Sequence, residues 1–115
     1  MNSMEYHVAS AGEPPALQIA RHALSSPDRE VCGFVYSDRY VPLTNIAHDP
    51  WMFIADPAEV ATALAHYGEP VAIFHSHPNG SLHPSVQDLR LKSYYINSTI
   101  MIGKIVNGIL ELFQI

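Results

Sequence analysis

The chain has 115 residues, of which 48% are hydrophobic, and its 6 Lys and Arg against 11 Asp and Glu give a net charge of −5. This length can bury one core but hardly two, so we predict a single domain over residues 1–115, with residues 1–13 as a flexible segment. The few basic residues are scattered and give little electrostatic support for a nucleic-acid groove. We therefore expect neither DNA nor RNA as a ligand.

The sequence also lacks the features of a membrane or exported protein. No stretch approaches the roughly 20 apolar residues that are needed to span a bilayer. The amino terminus has neither the basic start nor the apolar centre of a signal peptide. We predict a cytoplasmic protein, and the single cysteine, Cys32, excludes an internal disulfide and is predicted to be a packed thiol.

The first half of the chain predicts one helix followed by strands. Apolar residues after Pro14 and Pro15 recur at helical spacing and predict a first helix. This helix is expected to end at residues 25–27, which are Ser-Ser-Pro. Residues 31–37 and 40–47 predict two strands of a hairpin, and a short strand is predicted around Phe53.

The second half predicts two helices and three strands. A helix is predicted from Asp56-Pro57 to the Gly68-Glu69-Pro70 break, and residues 71–74 predict a buried strand that the next residues continue. Ser85 opens a predicted third, amphipathic helix with apolar positions at Val86, Leu89, Leu91, Tyr94 and Tyr95. The dipeptide at 107–108, Asn-Gly, predicts a hairpin between strands at 100–104 and 109–114.

His75 and His77 are followed, after seven intervening residues, by Ser85 and then Asp88, which gives an H-x-H and S-x-x-D pattern. Residues two apart in a strand project from the same face, so both imidazoles can reach one ion at the end of the strand. Asp88, in the first turn of the next helix, can return to that point. Two imidazoles and one carboxylate leave a fourth tetrahedral position open, which is typical of catalytic zinc. The pattern predicts a mononuclear zinc hydrolase site.

Each part of this pattern has a structural alternative. Ser85 and Asp88 also fit a helix cap with its reciprocal acid, which does not exclude metal binding and does not explain the histidine pair. Glu30 lies in a polar link, where an acid is ordinarily solvated. His83 lies between the histidines and Asp88 and can line the cleft without a catalytic role.

The combined pattern resembles the JAMM or MPN-plus (JAB-domain) metalloproteases. Their signature begins with an upstream Glu and continues with H-x-H-P. Seven residues then separate the second His from the Ser of S-x-x-D. Every element is present here. The segment 30–34, Glu-Val-Cys-Gly-Phe, is similar to the E-x-C-G strand of the family, and residues 45–57 resemble its prokaryotic and phage-tail members. The resemblance extends from about Pro14 to the end of the chain.

The resemblance implies a fold and a division of roles. The fold is an α/β architecture with a mixed, largely antiparallel sheet flanked by helices, similar to cytidine deaminases. His75, His77 and Asp88 bind Zn²⁺, while Glu30 takes a proton from the attacking water and returns it to the leaving amine. Ser85 stabilises the oxyanion.

The resemblance also implies protein or peptide substrates, which include ubiquitin-like and sulfur-carrier proteins and proteins of phage tail assembly. A catalytically silent MPN scaffold is the alternative, but such members typically lose zinc ligands that this chain keeps. A RadC-like protein shares the H-x-H-P-x-G and S-x-x-D core, and the E-x-C-G strand and the acidic charge argue against it. The natural substrate, an activating partner, the oligomeric state and a longer parent protein remain open at this point.

Overall fold

The computed structural model describes residues 14–49, 52–78, 86–95, 97–106 and 109–115. The predictions for residues 1–13, Ser85, His83 and the 107–108 turn lie outside this range. In chain order the elements are α1 (Pro15–Ser25), β1 (Cys32–Val35), β2 (Tyr40–Leu43), α2 (Pro57–Tyr67), β3 (Ala72–Ser76), α3 (Val86–Tyr94), β4 (Thr99–Val106) and β5 (Ile109–Gln114).

The strands form one sheet in the order β2-β1-β3-β4-β5. β3 and β4 are parallel, and the other neighbours are antiparallel. This confirms the predicted mixed, largely antiparallel sheet with helices. None of the helices in the described ranges is long and apolar enough to cross a membrane.

The sheet is covered on both faces, so its central strand β3 is buried along its whole length. α1 packs on one face through Ile19 and Ala23, which cluster with Phe74 of β3. α2 and α3 pack on the other face, where Ala63 and Leu91 meet Ile73. Because side chains alternate along a strand, His75 projects to the same face as Ile73. The carboxyl end of β3 therefore delivers His75 toward α3.

The first two strands of the sheet are shorter than predicted. The strands expected at 31–37 and 40–47 are only four residues each, and beyond Leu43 an isolated bridge joins Asn45 to Ala55. Phe53, where a short strand was expected, lies buried in a loop instead. The predicted lengths were wrong because apolar alternation does not reveal which hydrogen bonds the backbone makes.

Where β2 ends, a side chain replaces a neighbouring strand as the hydrogen-bond partner of the backbone. The Thr44 N–H donates to Glu59 Oε1 at 2.6 Å, and the Thr44 hydroxyl donates to Glu59 Oε2 at 2.8 Å. The Glu59 carboxylate therefore accepts the Thr44 N–H, which has no need of a strand partner. The chain thus leaves the sheet after Leu43 and forms a loop that returns to α2.

Gly33 lies against the ring of Tyr40, where a methyl group has no space. A Cβ atom at Gly33 would lie 2.3 Å from Tyr40 Cζ. The ring is held by a 2.7 Å hydrogen bond between its hydroxyl and His22 Nδ1 and by an edge contact with Phe74. We expect Gly33→Ala to lower the free energy of unfolding by about 2–4 kcal/mol, because the ring must shift and lose this hydrogen bond.

Urea denaturation measures this loss, and the same substitution in a Tyr40→Ala background is the control. Without the ring, Gly33→Ala should cost little. An equal cost in both backgrounds would contradict the steric explanation.

His22 gives a pH-dependent contribution to stability. Burial lowers the pKa of His22 in the folded protein, so below the unfolded pKa near 6.5 the unfolded chain binds more protons than the native chain. Stability from neutral His22 is therefore present above this pH and is lost as the pH falls. We expect the difference in urea midpoint between wild type and His22→Gln to shrink from pH 7.5 to pH 5.5. A constant difference would contradict this role.

Candidate metal centre

The carboxyl end of β3 is fixed by both neighbouring strands. The Val31 N–H donates to Ser76 Oγ at 3.0 Å, and the Ser76 N–H donates to the Val31 carbonyl at 3.0 Å. Beyond the last strand residue, the His77 N–H donates to the Gly103 carbonyl at 2.8 Å. His77 is therefore held in line with β3, and its side chain falls on the same face as His75.

Three side chains converge at this strand end. The Nε2 atoms of His75 and His77 are 3.2 Å apart, and Asp88 from the first turn of α3 contacts both. Asp88 Oδ1 lies 2.5 Å from His75 Nε2, and Oδ2 lies 3.3 Å from His77 Nε2. The exposed fractions are 0% for His75, 8% for His77 and 1% for Asp88. The three groups share one small buried space.

This arrangement fits a metal ion. Two ligands at 2.0–2.1 Å in a tetrahedral zinc site lie about 3.3 Å from each other. The distances of 3.2 and 3.3 Å that involve His77 match this spacing, and the contact between His75 and Asp88 is shorter. Two imidazole nitrogens and a carboxylate are also a donor set that zinc prefers.

The electrostatics of His75 agree with this fit. Burial lowers the pKa of His75, and the hydrogen bond with Asp88 opposes that shift without reversing it. A lowered pKa keeps the imidazole neutral near pH 7, and only a neutral imidazole can offer its nitrogen lone pair to a metal.

Glu30 lies beside the histidines at the start of β1. One potential ligand atom from each of Glu30, His75 and His77 lies within 4.8 Å of the other two, and Glu30 is 7% exposed. Burial, as the largest cause, raises the pKa of Glu30 to about 7; His77 lowers it, and Asp88 and Asp49 raise it. A carboxyl group with a pKa near the working pH can both accept and release a proton.

The structure thus brings together four of the five predicted site residues, while Ser85 lies outside the described residues, as does His83. Two neighbours were not predicted as part of the site. The Phe53 ring stacks on His75 with centroids 4.7 Å apart, and Gln87 Nε2 donates to the Phe53 carbonyl at 2.6 Å. The available signal was the position of Phe53 within the family-like stretch 45–57.

An apolar groove runs beside the centre between α2 and α3, with a volume of about 720 Å³. Phe53 and Gln87 line it, with Leu64 on α2 and Leu91 on α3 as walls. The candidate centre is therefore adjacent to a groove with an apolar lining.

Two buried histidines and an aspartate at the end of the central strand, with a glutamate just before the adjacent strand of an α/β sheet, are the arrangement expected of a JAB-type domain. The chain matches the family described as prokaryotic homologs of the JAB domain over residues 13–111 and belongs to this family. This confirms the resemblance found in the sequence.

Two relatives add detail. Over 74 residues, 61% of this chain, the sequence is 35% identical to the tail tip assembly protein K of Escherichia phage N15. The match spans 30% of that relative's length. The fold is similar to the solution structure of protein DSY2949 from Desulfitobacterium hafniense, with a TM-score of 0.67 and 25% sequence identity. That similarity covers 84% of this chain and 75% of the other.

Proposed function

We propose that this protein is a zinc-dependent metallopeptidase or isopeptidase that acts on protein substrates. The observation that carries the proposal is the convergence of His75, His77 and Asp88 on one buried point, with the Glu30 carboxyl group beside them. A buried carboxylate against two imidazoles binds a divalent cation well, and the cation in turn offsets the cost of burying the carboxylate.

His75, His77 and Asp88 would hold the ion and leave one tetrahedral position for the reaction. Bound zinc supplies a Lewis acid that polarises a carbonyl oxygen and lowers the pKa of coordinated water toward about 7. Glu30 takes a proton from the attacking water and passes it to the leaving amine nitrogen. Ser85 is proposed to donate a hydrogen bond to the oxyanion.

A role in protein assembly is the second candidate, and the similarity to a tail tip assembly protein favours it. A silent scaffold does not need three metal ligands and a buried acid at one point, so we give the peptidase precedence. The same proposal includes ubiquitin-like substrates, which the family resemblance implies. It also includes a cytoplasmic location and no nucleic-acid ligand, which are predicted from the sequence.

Metal-dependent cleavage distinguishes the two candidates. Chelator-treated protein should not cleave a mixture of quenched fluorescent peptides, and addition of one equivalent of zinc should restore cleavage. A protein that binds zinc but cleaves neither these peptides nor folded ubiquitin-like fusions would overturn the peptidase and favour assembly.

A further inference from the structure

Asn45 joins four backbone groups around the start of β1. Its Nδ2 atom donates to the Glu30 carbonyl at 2.8 Å and to the Met52 carbonyl at 2.9 Å. Its Oδ1 atom accepts from the Ala47 N–H at 2.9 Å and from the Ile54 N–H at 3.0 Å. Two donors and two lone pairs are the full capacity of an amide, so every bond that Asn45 can make is used.

This network assigns the amide orientation without ambiguity. A flipped amide would place its NH₂ group against the N–H groups of Ala47 and Ile54 and its oxygen against two carbonyls. All four contacts would then be repulsive. Replacing the side chain would remove the hydrogen-bond partner of four backbone groups, and two of these bonds are part-buried.

The bonds of Asn45 reach both sides of the metal centre. One holds the main chain of Glu30, the proposed proton carrier. Two others hold Met52 and Ile54, and the residue between them, Phe53, stacks on His75. Asn45 thus ties the segment that bears the carboxyl group to the loop that covers one of the histidines.

We infer that Asn45 is a positioning residue for the proposed hydrolysis, which fixes the Glu30 backbone so that its carboxyl group faces the metal centre. This inference rests on the proposed function. Because the amide uses its full capacity on backbone groups, Asn45 acts through Glu30 and the loop and not as a metal ligand. Its loss should impair proton transfer and leave the metal in place.

A double-mutant cycle with Asn45→Ala and Glu30→Ala in the zinc-loaded full chain tests this inference. One readout is cleavage of the quenched peptides, and the other is the affinity of acetohydroxamate measured by calorimetry. Acetohydroxamate chelates zinc and loses a proton that a neighbouring carboxylate can accept, so its affinity depends on where Glu30 lies. The zinc content of each variant and the visible spectrum of its cobalt-substituted form are measured as well.

Asn45→Ala should lower kcat by about 10²-fold with little change in KM, because a displacement of about 1 Å at a reacting group has an effect of this size. It should also weaken acetohydroxamate binding and leave zinc content and the cobalt spectrum unchanged. In the Glu30→Ala background the same substitution should change neither readout by more than about twofold, since the group it positions is gone.

Ser98→Ala is the matched control. Ser98 is buried, and its hydroxyl donates to the Pro70 carbonyl at 2.8 Å, at the opposite end of β3. This variant also loses a buried side-chain bond to the backbone, and it should lower the urea midpoint without changing kcat or acetohydroxamate affinity. If Asn45→Ala does not fold, Asn45→Ser, which keeps one hydroxyl, takes its place in the cycle.

The outcomes separate the inference from the proposed function. Equal effects of the Asn45 variant in both backgrounds, or effects no larger than those of Ser98→Ala, would overturn the positioning role. Unchanged cleavage and unchanged acetohydroxamate affinity in Glu30→Ala alone would overturn the proposed role of Glu30, whatever Asn45 does.

Discussion

Glu30→Gln is expected to keep about one zinc per chain and to lose cleavage by about 10²–10⁴-fold. The amide has nearly the size of the carboxyl group and fits the same buried position, but it cannot accept a proton from water. The three proposed ligand side chains remain in place, since they come from β3, the residue that follows it, and α3. Elemental analysis and the rate of peptide cleavage on one sample measure both parts of the prediction.

The matched control is Glu69→Gln, the same chemical change at an exposed acid just before β3. It should cleave at the wild-type rate. Retained turnover in Glu30→Gln would exclude Glu30 as the proton carrier, and loss of zinc in this variant would instead make it a ligand.

Asp88→Ala is expected to weaken zinc binding by more than about 10²-fold, because loss of a residue that only supports a ligand already costs about 10–100-fold. Asp88 contacts both imidazoles and supplies the negative charge of the ligand set. Cleavage should fall with zinc content and recover only in part at high zinc concentration. Competition with a chromophoric chelator measures the affinity.

Asp38→Ala is the control for this substitution. Asp38 is exposed, and its ion pair with Arg39 lies in the turn between β1 and β2. Zinc affinity should not change in this variant. If Asp88→Ala binds zinc with the affinity of the wild type, the ligand assignment is refuted.

Local patterns in the sequence predicted much of the candidate site. His75 lies on β3 and His77 follows directly after it, in line with the strand, and Asp88 lies in the first turn of α3, which agrees with the predicted spacing. Glu30 is different, because local pattern alone favoured a solvated acid. Its approach to the histidines depends on the antiparallel pairing of β1 with β3, in which Cys32 lies opposite His75. Such a register is set by contacts far apart in the chain and came only from the family resemblance.

The apolar pattern of α3 shows a second limit of the sequence. Leu91 and Tyr95 pack against the core as predicted, but Leu89 is 57% exposed and Tyr94 is 82% exposed. Periodicity predicts that a helix has an apolar face, but the extent of the elements packed against that face decides how much of it is buried. The hydrogen bonds of Asn45 were not predicted for a different reason, because its partner Glu30 is 15 residues away in the chain.

Metal content of the wild type, His77→Ala and His66→Ala, each dialysed against a mild chelator, tests the central claim most directly. His66 is an exposed histidine in the last turn of α2, so its substitution removes an imidazole without touching the centre. We expect about one zinc per chain in the wild type and in His66→Ala, and none in His77→Ala. Zinc in none of the three proteins after reconstitution, or equal zinc in all three, would contradict the account.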